Sequence, residues 1–162
     1  MNLVLLMGLQ ASGKTTFRKQ HFAAPHAVVS LDESDPKGNV KNAREREAKL
    51  LGEALAASRD VVVDNTNPTR AERARYLEAA RQAGYRISGY YFRSDFKESL
   101  ARNAGRSVEE RVPSVALKAT IKRLERPEWD EGFDELYYVY IDRLGRFVVD
   151  EYRQEVQEGD KA

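Results

Sequence analysis

The chain has 162 residues, 27 basic and 26 acidic side chains, a net charge of +1 and no cysteine. That length fits one domain, and the 41% hydrophobic and 33% charged fractions describe a soluble globular chain; zero Cys excludes disulfides, thiolate-held metals and a catalytic thiol. Near-neutrality argues against a grip on nucleic acid by bulk charge alone, although the charge is uneven: residues 127–162 carry 4 basic and 11 acidic side chains.

The opening run, residues 2–7, is apolar and of strand length. No basic segment precedes it and Gly8 interrupts it, so it reads as a strand rather than a signal segment, and a cytoplasmic location is expected. A short helix follows over 14–22 and a second strand over 27–31. Residues 42–57 place Ala43, Leu50, Leu51, Ala54 and Leu55 at helical spacing. DVVVD at 60–64 is a third strand, β-branched as buried parallel strands tend to be. Thr69 and Glu72 form a capping-box pattern for a helix over 70–83, which Gly84 closes. A fourth strand spans 86–92, helices span 95–103 and 113–125, and a fifth strand spans 136–141. Leu144-Gly145 turns the chain into 147–152, either a hairpin strand or a last helix, and residues 153–162 are expected to fray. The most loop-like stretches are 32–41 and 103–113. Alternating strands and helices of this size predict an α/β fold, a mostly parallel sheet with helices on both faces.

Gly8-Leu-Gln-Ala-Ser-Gly13-Lys14-Thr15 fits the phosphate-binding pattern G-x-x-x-x-G-K-[ST] in full, between a strand and a helix. Glycines let the backbone curl so that successive N–H groups point at phosphate oxygens, and the helix N-terminus adds partial positive charge. Candidate nucleotide-binding residues are Gly8, Ala11, Ser12, Gly13, Lys14, Thr15 and Thr16. Lys14 is placed to reach the β- and γ-phosphates of ATP, and Thr15 to ligate Mg²⁺.

Three further sites each have a plainer alternative. Asp32 follows the second strand, at the sheet edge where ligands of open α/β sheets gather; a carboxylate there can take a proton from an attacking hydroxyl, or it is only a loop acid. Asp64 ends the third strand, where an acid commonly holds Mg²⁺. After it, Asn65, Thr66 and Asn67 either bond the acceptor or orient the loop, in a stretch that also has turn chemistry. Arg102, Arg106 and Arg111 either close over a triphosphate from a mobile lid or form a solvated helix face.

These residues together resemble the polynucleotide kinases of the phage and metazoan end-healing type, within the P-loop kinases. The resemblance spans residues 1 to about 142. It rests on GLQASGKTT, on SLD, on VVVDNTNPTRAERARYLEAARQAGY, on Arg102-Asn103-x-x-Arg106 followed by Val112-Pro113, and on RPEWDEGFDEL. It implies a P-loop kinase fold in one domain spanning 1–162, with a five-stranded sheet of order 2-3-1-4-5 and a helical lid at about 95–126. It implies transfer of the γ-phosphate of ATP to the 5′-hydroxyl of DNA or RNA. Asp32 would be the general base, with Lys14 and Thr15 on phosphates and Mg²⁺ and Asp64 as second acid near the metal. Arg106 would be the lid arginine supported by Arg102. Asp32, Asn65, Asn67 and Arg70 are the candidate acceptor-side residues, and the helix bearing Arg70, Arg73, Arg75 and Arg81 offers phosphate contacts.

One departure stands out. The family's acceptor segment usually reads Asn-Arg-Asp, often with a further Arg after it. Here it reads Ser30-Leu31-Asp32-Glu33-Ser34-Asp35, and no arginine follows until Arg44. Such arginines grip the acceptor's phosphates or support the base; Lys37 and Lys41 are the substitutes in reach along the chain. The acidic segment keeps two alternatives open: a kinase of a sugar, nucleoside or antibiotic on the same fold, and a nucleotide-binding regulatory protein.

Overall fold

The computed structural model describes residues 1–34 and 39–153. Asp35 and Lys37, and the expected fraying of the tail from residue 154 on, lie outside the described residues. The sheet is built on β1 (Asn2–Met7), β2 (Ala27–Val29), β3 (Val61–Asp64), β4 (Arg86–Phe92), β5 (Glu135–Ile141) and β6 (Phe147–Glu151). Its order is β2-β3-β1-β4-β5-β6. The first five strands are parallel and in the expected order. β6 is the addition, and of the two alternatives for 147–152 it takes the hairpin, antiparallel to β5. The turn is set by Asp142, whose Oδ1 accepts from the N–H groups of Leu144 and Arg146 at 2.9 Å.

Side chains alternate across β1 and β3 as the pleat demands. Leu3, Leu5, Met7, Val61 and Val63 pack on one face against α3 (Val40–Ala56) and α4 (Arg70–Gln82), through Leu51, Tyr76 and Leu77. Val4, Leu6 and Val62 pack on the other against Phe17 of α1 (Lys14–His21). Each fully buried aliphatic side chain contributes about 1.5–3 kcal/mol. α5 (Phe96–Ala104) and α6 (Ser114–Arg123) pack on each other beyond the end of β4. Side-chain caps fix the starts of three helices: Asn39 on α3, Thr69 on α4 and Asp95 on α5. A further short helix, α2 (Leu31–Ser34), occupies the start of the stretch expected as a loop. No described helix is long and apolar enough to cross a membrane.

Register decides what meets at the sheet's C-terminal edge. Leu6 of β1 lies beside Asp64 of β3, so the acid that ends β3 stands next to the loop that leaves β1.

Candidate active site

The loop after β1 is shaped by two glycines. Gly8 has φ +143°, and a Cβ there would lie 3.0 Å from Phe92 Cβ and its carbonyl oxygen. Gly13 has φ +101°, and a Cβ would lie 2.9 Å from Phe147 Cε1 on β6. Both positions need a residue without a side chain. Neighbouring elements hold the loop: Gly8 N–H donates to Thr66 O at 2.9 Å, Leu9 N–H to Ser94 Oγ at 3.0 Å, and Gln10 Nε2 to Thr120 Oγ1 at 2.9 Å. α1 starts at Lys14 without a side-chain cap, so no side chain competes for its first N–H groups.

Lys14 is buried and donates to Gly8 O at 2.9 Å and Leu9 O at 2.7 Å. Burial pushes its ammonium down to about 8; the charges of Asp64 and Asp32 oppose the shift and that of Arg106 adds to it. A desolvated cation held by dipoles rather than by a bonded carboxylate is suited to an anion arriving from outside.

Asp64 accepts twice on one oxygen. Its Oδ2 takes the Thr15 hydroxyl at 2.9 Å and Arg18 Nε at 2.9 Å. Arg18 then reaches outward, its Nη2 donating to Glu33 Oε1 at 2.7 Å. Sequence reasoning passed over Arg18. The signal was present: Arg18 is four residues after Lys14 in a helix, and such pairs share a face.

α2 presents Asp32 beside Glu33, and neighbouring side chains pin it. Asn65 Oδ1 accepts from Leu31 N–H at 2.9 Å, and Arg46 donates to Ser34 O at 3.1 Å. The carboxamide nitrogen of Asn65 donates to Glu47 Oε2 at 2.9 Å and to the Tyr76 hydroxyl at 3.2 Å. Tyr76 in turn donates to the buried Glu47. Burial, with Glu47 beside it, holds the Tyr76 phenol well above its ordinary value. Asn65 thus orients the turn that carries Asp32, one of the two readings of this residue.

Lys14, Thr15, Arg18, Asp32, Asp64 and Arg106 line one cleft of about 260 Å³. Arg106 arrives on the segment between α5 and α6. Asn103 closes that segment, donating to Val112 O at 2.6 Å and accepting from Val112 N–H at 2.9 Å. Arg102 lines a second, more open cleft of about 570 Å³ with Arg93, Tyr140 and Arg143, and lies 3.7 Å from Glu98. Two expected acceptor-side residues stand elsewhere. Asn67 is buried and donates to Leu6 O at 2.7 Å. Arg70 is not among the residues lining this cleft and meets Asp130 at 2.7 Å and Glu128 at 3.3 Å.

The expected phosphate-contacting face of α4 needs correction. Arg73 is fully buried against Glu131, Arg75 donates to the Tyr76 hydroxyl, and Arg81 donates to Glu131 O. The acidic stretch after residue 127 has taken up most of these arginines.

Three comparisons bear on this geometry. Residues 3–127 match the model of a family described as an AAA domain. The bifunctional polynucleotide phosphatase/kinase of Schizosaccharomyces pombe is 28% identical over 136 residues, covering 81% of this chain and 31% of that protein. A relative from Acanthamoeba polyphaga mimivirus is 25% identical over 149 residues, covering 87% and 34%. The chain therefore spans about a third of the length of the curated relatives it matches. Among solved structures, a gluconokinase from Sinorhizobium meliloti 1021 superposes with a TM-score of 0.62 at 19% identity, covering 88% of this chain and 83% of that one. The shared fold is that of P-loop kinases.

Proposed function

The chain belongs to this AAA domain family, and on that premise we propose that it is an ATP-dependent phosphotransferase whose acceptor is the 5′-hydroxyl of a polynucleotide. The observation that carries the reading is the convergence of Lys14, Thr15, Asp64, Asp32 and Arg106 on one cleft. The polynucleotide acceptor is supported by the phosphatase/kinase relative.

In this reading the backbone N–H groups of residues 11–16 and the Lys14 ammonium hold the β- and γ-phosphates of ATP. Lys14 is already stripped of water, so its attraction for them is little damped. Thr15 and Asp64 fit Mg²⁺, a hard cation that takes one or two protein oxygens beside phosphates and water; when bound it neutralises charge on the phosphates. Asp32 accepts the proton of the acceptor hydroxyl as its oxygen bonds to the γ-phosphorus, the bond to the bridging oxygen breaks, and ADP leaves. Arg106, on a lid formed by α5 and α6, offsets charge on the transferring group. Positioning and electrostatics supply the rate.

A kinase of a small neutral alcohol is the second reading, favoured by Glu33, which sets a second carboxylate beside Asp32 and neutralises Arg18. ATP turnover measured with 5′-hydroxyl DNA, 5′-hydroxyl RNA and a panel of sugars, nucleosides and aminoglycosides separates the two. Stimulation by oligonucleotides is the expected result; stimulation by small alcohols alone would replace the first reading with the second.

A further inference from the structure

We infer that Arg18 receives a phosphate of the acceptor strand, and that Glu33 holds its place in the free protein. The inference rests on the polynucleotide reading and names the cation that reading lacked.

Arg18 comes from α1 rather than from the acceptor segment, yet it reaches the same cleft as Asp32. Its two partners differ in kind. Asp64 is buried on β3, and its bond to Arg18 Nε fixes the guanidinium. Glu33 sits on a four-residue helix with its side chain 55% exposed, and it takes the outward Nη2. An ion pair with one solvated partner contributes little to stability, so its carboxylate is replaceable. A phosphate offers a guanidinium the same kind of charged oxygen acceptor as a carboxylate, with more charge and more oxygens. Glu33 is therefore an internal stand-in for an anionic group.

Its position tells which anion. Glu33 adjoins Asp32 in sequence, so a group that displaces it lies next to the hydroxyl that Asp32 deprotonates. The terminal nucleoside of a 5′-hydroxyl strand carries such an anion: its 3′-phosphate, on the same sugar as the hydroxyl. A plain sugar or nucleoside does not. Among the described residues the other basic groups of the cleft, Lys14 and Arg106, are engaged with the donor phosphates in this reading. Arg46, the basic residue nearest along the chain that touches α2, is spent on Ser34 O.

The test is steady-state kinetics at saturating ATP with three acceptors: a 5′-hydroxyl dinucleotide, a nucleoside 3′-monophosphate and the same nucleoside without phosphate. Arg18→Gln is expected to raise KM for the two phosphate-bearing acceptors about 10- to 100-fold more than it raises that for the bare nucleoside. Glu33→Gln, at an exposed side chain that the fold does not depend on, is expected to lower KM for the phosphate-bearing acceptors by about 3- to 10-fold. Equal response of dinucleotide and mononucleotide supports recognition of the anion alone; a stronger response of the dinucleotide supports recognition of the diester. An unchanged or raised KM in Glu33→Gln overturns the inference. So does an equal loss for all three acceptors in Arg18→Gln, which would make Arg18 only a tie between α2 and β3. If the wild type binds ATP by calorimetry but phosphorylates neither these acceptors nor any longer 5′-hydroxyl strand, the polynucleotide reading falls and this inference with it.

Discussion

Two buried arginines in this chain hold carboxylates and do opposite things. Arg73 on α4 bonds Glu131 at 2.8 and 3.0 Å, with side chains 1% and 2% exposed, and spends another nitrogen on the carbonyls of Asn67 and Glu125. Arg18 on α1 bonds one buried carboxylate and one exposed carboxylate. A pair sealed on both sides is a fastener, because removing either partner strands a charge in the interior. A pair with one solvated partner is open to exchange with a ligand. The exposure of the partner, and not the arginine itself, separates structure from recognition. Glu128, Asp130 and Glu131 meet Arg70 and Arg73 of α4, and Glu135 of β5 meets Arg86 of β4. This pairing accounts for much of the acid excess after residue 127.

The largest expected effect is at the cleft. Lys14→Met should lower kcat/KM by at least about 10³-fold, since it removes a buried charge aimed at the transferring group. The same change should raise the melting temperature, because the desolvated ammonium destabilises the free protein. A simultaneous fall in stability would contradict the assignment of Lys14 as a cation held ready for phosphate.

On the fastened side, Arg73→Ala should cost about 3–5 kcal/mol in denaturant unfolding, leaving Glu131 buried without its partner. Replacing both, as Arg73→Met with Glu131→Leu, should recover most of that loss. If Arg73→Ala is neutral, the contrast between the two arginines collapses.

A smaller effect follows from pH. Folding lowers the Lys14 pKa from 10.5 to about 8. Between these values the unfolded chain binds more protons, so this group makes stability rise with pH across that window. A bound polyphosphate raises the pKa again, so above pH 8 ATP binding takes up a proton and weakens by up to about tenfold per pH unit. Calorimetry in two buffers of different ionisation enthalpy reads this uptake, which Lys14→Met should abolish. The smallest effect is at the exposed Arg70. Arg70→Ala should change stability by less than about 1 kcal/mol and leave phosphoryl transfer unchanged; loss of transfer would return it to the acceptor site.

Local pattern carried much of this into view from the sequence. The strand, glycine loop and helix at residues 2–22 and the β-branched run ending at Asp64 are written in contiguous residues, and β1, β3 and the loop followed from them. β6 stayed undecided because the run 147–152 is too short to separate strand from helix by period; the Asp142 turn and the pairing with β5 decide it. Partners far along the chain were not legible. Arg73 and Glu131 are 58 residues apart, and a row of arginines on α4 looks the same whether or not it is paired. Asn65 is similar: its role in holding Leu31 depends on Glu47 and Tyr76, which lie on separate helices. Arg18 was legible in principle from its spacing to Lys14, but Glu33 as its partner depends on the fold of α2.

The central claim is that the cleft moves the γ-phosphate of ATP to a 5′-hydroxyl, with Asp32 as the base. The direct measurement is single-turnover transfer of γ-labelled phosphate to a 5′-hydroxyl oligonucleotide by wild type and Asp32→Asn, with ATP affinity measured on both. The account predicts labelled 5′ ends with the wild type, a loss of at least about 10²-fold in the variant, and similar ATP affinity in the two. Equal transfer by Asp32→Asn, or none by an ATP-binding wild type, would contradict it.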